Sequence, residues 1–157
     1  MKTTNKEYTV KAIEFLTEWM DTKLGIPGTS IRFGLDALLS LIPGVGDVVS
    51  TGMNIGIFGL ILTKGVPFGT ALKMMGNILI DSVISAVPVI GTFFDIGFKS
   101  NVKNLNLMQK HLANNPTGKY YKGIWLVFGL TALLLIGVVF GVFWLLVNVL
   151  SKIQLPW

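Results

Sequence analysis

The sequence predicts an all-α integral membrane protein, and three observations carry that expectation. Apolar residues make up 52% of the 157-residue chain and charged residues 13%, about half the ~25% usual in soluble domains. Gly123 to Leu150 is a run of 28 residues without a charge. The middle of the chain, Arg32 to Lys99, is strongly apolar yet broken twice by a Pro-x2-Gly signal. A chain this short leaves a large share of its surface exposed, so that much hydrocarbon is expected to meet lipid. The expected architecture is two pseudo-repeated, Pro/Gly-broken helical hairpins, an N-terminal interfacial helix and one C-terminal transmembrane helix.

Residues 1–28 are expected to form the interfacial helix. Ala12, Ile13, Phe15, Leu16, Trp19 and Met20 share one helical face between Thr9 and Lys23, and Lys11, Glu14, Glu18 and Asp21 take the other. Such a helix lies in a membrane surface or packs on a partner. Met1 to Lys11 has no apolar run of the signal-peptide kind. Gly25-Ile26-Pro27-Gly28 ends the helix, and Thr29 or Ser30 is placed to cap the next one.

Residues 29–103 are expected to be a membrane-embedded repeat domain, with units at about 32–63 and 73–103. Segments 33–46 and 48–63 are separated by Pro43-Gly44-Val45-Gly46. Each is shorter than the ~20 residues of an ordinary span. Segment 66–87 is longer but carries Lys73 and Asp81 and breaks at Pro88. Proline cannot continue the helical ladder and glycine permits a sharp turn. Re-entrant or hairpin helices fit this pattern.

A basic cytoplasmic loop is expected over 104–122. Between Lys99 and Lys122 there are five lysines and His111 but no acid, and Asn114-Asn115-Pro116-Thr117-Gly118 reads as a turn. Retention on the cytoplasmic face explains such a loop without nucleic acid, which is not an expected partner. Residues 123–157 supply the transmembrane helix and a short tail, with Trp125 and Trp144 as anchors about 28 Å apart. Gly137 and Gly141 form a GxxxG, which permits close helix contact. The expected location is the bacterial inner membrane, with the N-terminus and the 99–122 stretch cytoplasmic. Expected partners are the lipid bilayer and either further copies, as a homo-oligomer, or another membrane protein.

Sliding the chain by 45 residues superposes its two middle sections. Asp36, Ser40, Pro43, Gly46 and Gly52 fall on Asp81, Ser85, Pro88, Gly91 and Gly97. Leu35, Leu38, Leu39 and Ile42 fall on Ile80, Val83, Ile84 and Val87. The shared motif is Asp-x3-Ser-x2-Pro-x2-Gly, the mark of an internal repeat. Each unit also carries a polar stripe at four-residue steps, Arg32, Asp36, Ser40 in the first and Lys73, Asn77, Asp81, Ser85 in the second. Steps of four put these side chains on one edge of a helix. Beyond the breaks the stripes resume as Asp47, Thr51, Asn54 and as Thr92, Asp95, Lys99.

Phe33-Gly34-Leu35-Asp36 and Leu41-Ile42-Pro43-Gly44-Val45-Gly46-Asp47 resemble domain-of-unknown-function family 4112. Asn77 to Asp81, Val87-Pro88-Val89-Ile90-Gly91, and Phe94-Asp95 through Lys99 and Asn101 extend the resemblance over roughly residues 20 to 105. An acid often follows the family's second Pro-x2-Gly, where this chain has Thr92. The resemblance implies a bacterial or fungal membrane protein and lends no catalytic residues.

Four acids, Asp36, Asp47, Asp81 and Asp95, sit in apolar surroundings. The candidate intramembrane polar site is Arg32, Asp36, Ser40, Asp47, Asn77, Asp81, Ser85, Asp95 and Lys99, with Pro43, Gly44, Gly46, Pro88 and Gly91 as helix breaks. Paired interrupted helices are the usual pointer to a transporter's site, and Asp and Ser oxygens suit hard cations. A structural role competes. Asp47 is placed to cap a helix, and Arg32–Asp36 and Asp95–Lys99 are i,i+4 pairs. Zero Cys and one His exclude thiolate or His-rich metal sites, and no phosphate-binding glycine loop is present. No catalytic residue, metal ligand or cofactor is assigned, and an enzyme is not expected. The function expected is cation or proton handling by a small transporter or channel-like protein. The alternative is a non-catalytic structural or accessory subunit of a larger membrane complex.

Overall fold

A computed structural model describes residues 2–42, 45–85, 90–114 and 123–152. Seven helices and one two-stranded hairpin make up these residues. Helix α1, Lys2–Asp21, leads into β1, Leu24–Gly25, and β2, Arg32–Phe33. The strands pair antiparallel, with Leu24 opposite Phe33, around Gly28 at φ 80°. A short α2, Leu35–Leu39, precedes α3, Val45–Leu62, and α4, Phe68–Ser85. Then come α5, Ile90–Phe98, α6, Ser100–Asn114, and α7, Ile124–Lys152.

The local causes are readable. Between α3 and α4, Gly65 takes a left-handed conformation at φ 77° and its N–H bonds the Leu62 carbonyl, a helix-ending device. Pro67 then starts α4, its carbonyl accepting from the N–H groups of Thr70 and Ala71. Thr29 does not cap a helix as expected. Its hydroxyl donates to the Ile26 carbonyl and accepts from the Ile31 N–H, shaping the hairpin turn. The polar run of a helix from Arg32 is therefore cut short, because Arg32 lies in β2 and α2 begins at Leu35.

One hydrophobic core joins α1, α3, α4, α6 and α7. It contains Ile13 and Met20 from α1, Ile57, Phe58, Ile61 and Leu62 from α3, and Ala71, Met74 and Ile78 from α4. Val66 between α3 and α4, Met108 of α6 and Ile124, Val127 and Leu135 of α7 complete it. The spacings are helical, so each element buries one stripe. Full burial of such a side chain contributes about 1.5–3 kcal/mol. Two of these stripes turn polar at one end. On α3, Ile61 and Ile57 give way to buried Asn54 and Ser50, and on α4, Met74 and Ile78 give way to buried Asp81.

The integral membrane architecture is corrected by this arrangement. Among the described residues, no helix is long and apolar enough to cross a membrane. Each helix of the core buries one apolar stripe against its neighbours, while Trp125, Leu126, Leu130, Leu133 and Leu134 of α7 stay exposed. The first half of α7 buries Ile124, Val127, Thr131 and Leu135 against α3 and α4. Further along the same helix Phe140 and Trp144 are exposed, and nothing lies within 4 Å of a Cβ built on Gly137 or Gly141. Helix α1 packs on α6, α2 and α3 of its own chain. The stretch expected as a loop opens with α6, which reaches Asn114. His111 is partly buried there, and its Nε2 is buried without a hydrogen-bond partner. Residues 115–118, expected as part of a loop, Tyr120, Tyr121 and the tail after Lys152 lie outside the described residues.

Candidate functional site

The two broken helices meet where the polar ends of the stripes converge. Asp36 of α2, Asp81 of α4 and Asp95 of α5 each offer a carboxylate oxygen, and these oxygens lie within 4.8 Å of one another. All three residues are buried, at 6%, 2% and 5% exposure. Serines from both repeat units hold them. The Ser50 hydroxyl donates to Asp36 Oδ1, and Ser85 donates to Asp95 Oδ1. Ser40 donates to the other oxygen of Asp95 at 2.5 Å, tying the first repeat unit to the second. Asp81 Oδ2 accepts from Ser100 Oγ at 2.8 Å and from Asn54 Nδ2 at 3.4 Å. Its Oδ1 is buried with no hydrogen-bond partner.

A second tier of amides backs the acids. Asn101 Nδ2 donates to Asn54 Oδ1 at 2.7 Å and to Asp21 Oδ1 at 2.9 Å. The Val102 N–H donates to Asp21 Oδ2. Buried Asp21 was expected on the solvent face of α1. It instead closes the network from the far side, and its carboxyl is raised above the ordinary range by burial, against the lowering effect of Asn101, Val102 and the Lys99 charge.

Electrostatics follow from the crowding. Burial pushes Asp36 up to about 7, opposed by the Ser50 hydroxyl and reinforced by the neighbouring Asp95 and Asp21 charges. Burial pushes Asp81 up to about 8, reinforced first by Asp36 and opposed by Ser100. Like charges this close cannot all ionise cheaply in a low-dielectric site. The raised Asp36 and Asp81 carboxyls therefore favour their protonated forms near neutrality.

The backbone geometry of the breaks brings the acids together. A Cβ built on Gly46 would stand 1.8 Å from the Leu39 carbonyl oxygen, and one on Gly91 would stand 2.4 Å from the Ser85 carbonyl oxygen. Both repeat units thus fold back on the helix they have just left, at the same motif position. Only glycine allows that approach. Pro43, Gly44 and Pro88 lie outside the described residues, as do the side chains of Asp47 and Thr92.

Of the expected site residues, Asp36, Ser40, Asp81, Ser85 and Asp95 come together. Arg32 is exposed in β2, so no helical i,i+4 pair with Asp36 forms. Lys73 is exposed. Asn77 donates to Asn104 Oδ1 at 2.8 Å, bracing α4 on α6 rather than joining the acids. Lys99 takes φ 50° between α5 and α6, and its charge acts on Asp21. Residue-by-residue reading missed Ser50, Ser100 and Asp21. A signal for Ser50 was present, since the 45-residue offset places it over Asp95.

The model of the family described as a domain of unknown function (DUF4112) matches residues 9–112. The chain belongs to that family. The DUF4112 region thus takes in α3 to α5 and the whole acid cluster. It ends within α6, so α7 lies beyond it. No curated protein and no solved structure matches the chain.

Proposed function

We propose that this DUF4112 protein binds a hard cation at Asp36, Asp81 and Asp95. The observation that carries the reading is the convergence of three buried carboxylates within 4.8 Å, one of which has an oxygen without a protein partner. No lysine or arginine among the described residues forms an ion pair with Asp36 or Asp81. A buried carboxylate set of this kind is stabilised by protons or by a metal ion, and oxygen donors select hard cations. Asp36, Asp81 and Asp95 would be the ligands. Ser50 orients Asp36, Ser40 and Ser85 orient Asp95, and Ser100 with Asn54 orients Asp81. What the cluster supports is binding, and the expectation of transport draws nothing from it.

The test is thermal unfolding of chelator-treated protein with and without millimolar CaCl2, MgCl2 or MnCl2. Ligand at a hundredfold above its Kd adds about 2.7 kcal/mol of stability, so a rise in Tm is expected for at least one ion. That rise should vanish in Asp81→Asn. No rise with any of the three ions rejects the reading.

A second reading has its own observation. The Ser40–Asp95 bond links the two repeat units, which suits a structural or accessory subunit whose polar network fixes how the units dock. That reading expects Ser40→Ala to destabilise the fold while added cations change nothing.

A further inference from the structure

If the acid cluster binds a hard cation, as proposed for its function, its surroundings discriminate among the candidates. Ca2+ takes 6–8 oxygens at about 2.3–2.6 Å, so opposite ligands stand about 4.6–5.2 Å apart. Mg2+ takes six at about 2.0–2.1 Å, putting opposite ligands about 4.0–4.2 Å apart, and it keeps several of its waters. The carboxylate oxygens here lie within 4.8 Å of one another, close enough to share one ion of either size.

Donor supply points to the larger ion. Four hydroxyls lie against the three carboxylates, from Ser40, Ser50, Ser85 and Ser100. Each serine that donates its proton to a carboxylate still has lone pairs to offer. Three carboxylates and four hydroxyls match in number the 6–8 oxygens that Ca2+ takes. Asp81 Oδ1 is buried with no partner, and so is Asn101 Oδ1, next along α6 from Ser100. Orphaned acceptors at this depth are costly, and a cation satisfies acceptors where a donor is missing.

We propose that the Asp36–Asp81–Asp95 site is selective for a Ca2+-sized cation, held in a shell of carboxylate and hydroxyl oxygens drawn from both repeat units. Ca2+ replaces its hydration water with these oxygens. Mg2+ holds its waters too tightly to make the exchange in so buried a place.

The experiment is isothermal titration of the full chain, stripped of metal by chelator, with CaCl2 and separately with MgCl2. Ca2+ is expected to bind at least tenfold more tightly. Mg2+ binding as tightly as Ca2+, or more so, overturns the selectivity while leaving the cation reading intact. Absence of binding by either ion overturns that reading itself. Asp95→Asn assigns the site and should weaken Ca2+ at least tenfold. If that variant loses its helical circular dichroism, Ser50→Ala and Ser85→Ala take its place, with a weakening of severalfold expected. Ca2+ affinity undiminished in the folded variants overturns the assignment to this cluster.

Discussion

Asp36 and Asp81 stand 45 residues apart in the chain, yet each places a buried carboxylate oxygen within 4.8 Å of the other. They occupy the same position of the repeated motif, so one structural unit used twice presents its acid to its own duplicate. Folding therefore forces two like charges together at low dielectric.

The first prediction is the pH dependence of stability in chelator-treated protein. Both carboxyls rise from 3.8 in the unfolded chain, Asp36 to about 7 and Asp81 to about 8 in the folded one. Between those limits the folded state binds protons that the unfolded state has released. Stability must then fall as pH rises from about 4 to about 8, and level off above. The slope is about 1.4 kcal/mol per pH unit for each titrating group. Urea unfolding across this range measures it, and Asp81→Asn should make the profile shallower. A flat profile would mean that the acids are not buried together.

A second prediction concerns the breaks. Gly46→Ala and Gly91→Ala would drive a methyl into the backbone of Leu39 and Ser85, at sites where the obstacle is a carbonyl rather than a flexible side chain. We expect losses of about 3 kcal/mol or more, the range of severe backbone and packing conflicts. Gly52→Ala is the control. It sits inside α3 with nothing within 4 Å of the added Cβ, so helix propensity should make it neutral or stabilising by up to about 1 kcal/mol. Denaturant midpoints of the three variants decide the matter.

These positions also show how far the sequence could be read. The Asp-x3-Ser-x2-Pro-x2-Gly repeat was visible in the residues, and it points directly at Asp36, Asp81, Ser40, Ser85, Gly46 and Gly91. The polar stripes read at four-residue steps fit only in part: Asn54 and Asp81 are buried, whereas Lys73 faces out and Ser50, not Thr51, reaches the acids. What composition could not separate was apolar surface facing lipid from apolar surface facing another helix, because both read as the same residues at the same period. Asp21 was misplaced for a related reason. An acid at the end of an amphipathic helix reads as solvated until a distant amide, here Asn101, is known to meet it. Arg32 was put on a helix because four-residue spacing says nothing about where a helix begins.

The third prediction tests that amide. Asn101 joins Asp21 to Asn54, and truncating it removes the side-chain donor from Asn54 Oδ1 and Asp21 Oδ1, while the Val102 N–H still serves Asp21 Oδ2. At about 1–3 kcal/mol for each unsatisfied group, Asn101→Ala should cost roughly 2–6 kcal/mol. Gln109→Ala removes an exposed bond to Glu14 between the same two helices and should change stability by no more than about 0.5 kcal/mol. Similar losses at the two positions would show that the α1–α6 contact matters as a whole and that the Asn101 bridge carries no special share.

The last prediction asks what α7 packs against. Leu135 is 0% exposed and belongs to the core, whereas Phe140, five residues later on the same helix, is 70% exposed. Both are large apolar side chains, so their intrinsic hydrophobicity does not distinguish them, and burial alone sets the difference. Leu135→Ala should leave a cavity between α7 and its neighbours and cost about 2–5 kcal/mol. Phe140→Ala removes a side chain that buries little in the single chain and should change stability by about 0.5 kcal/mol or less. The two variants can be compared by urea unfolding at several protein concentrations. A Phe140→Ala loss matching that of Leu135→Ala would mean that the distal half of α7 is covered in solution. If that loss also grew with protein concentration, the cover would be a second copy of the chain.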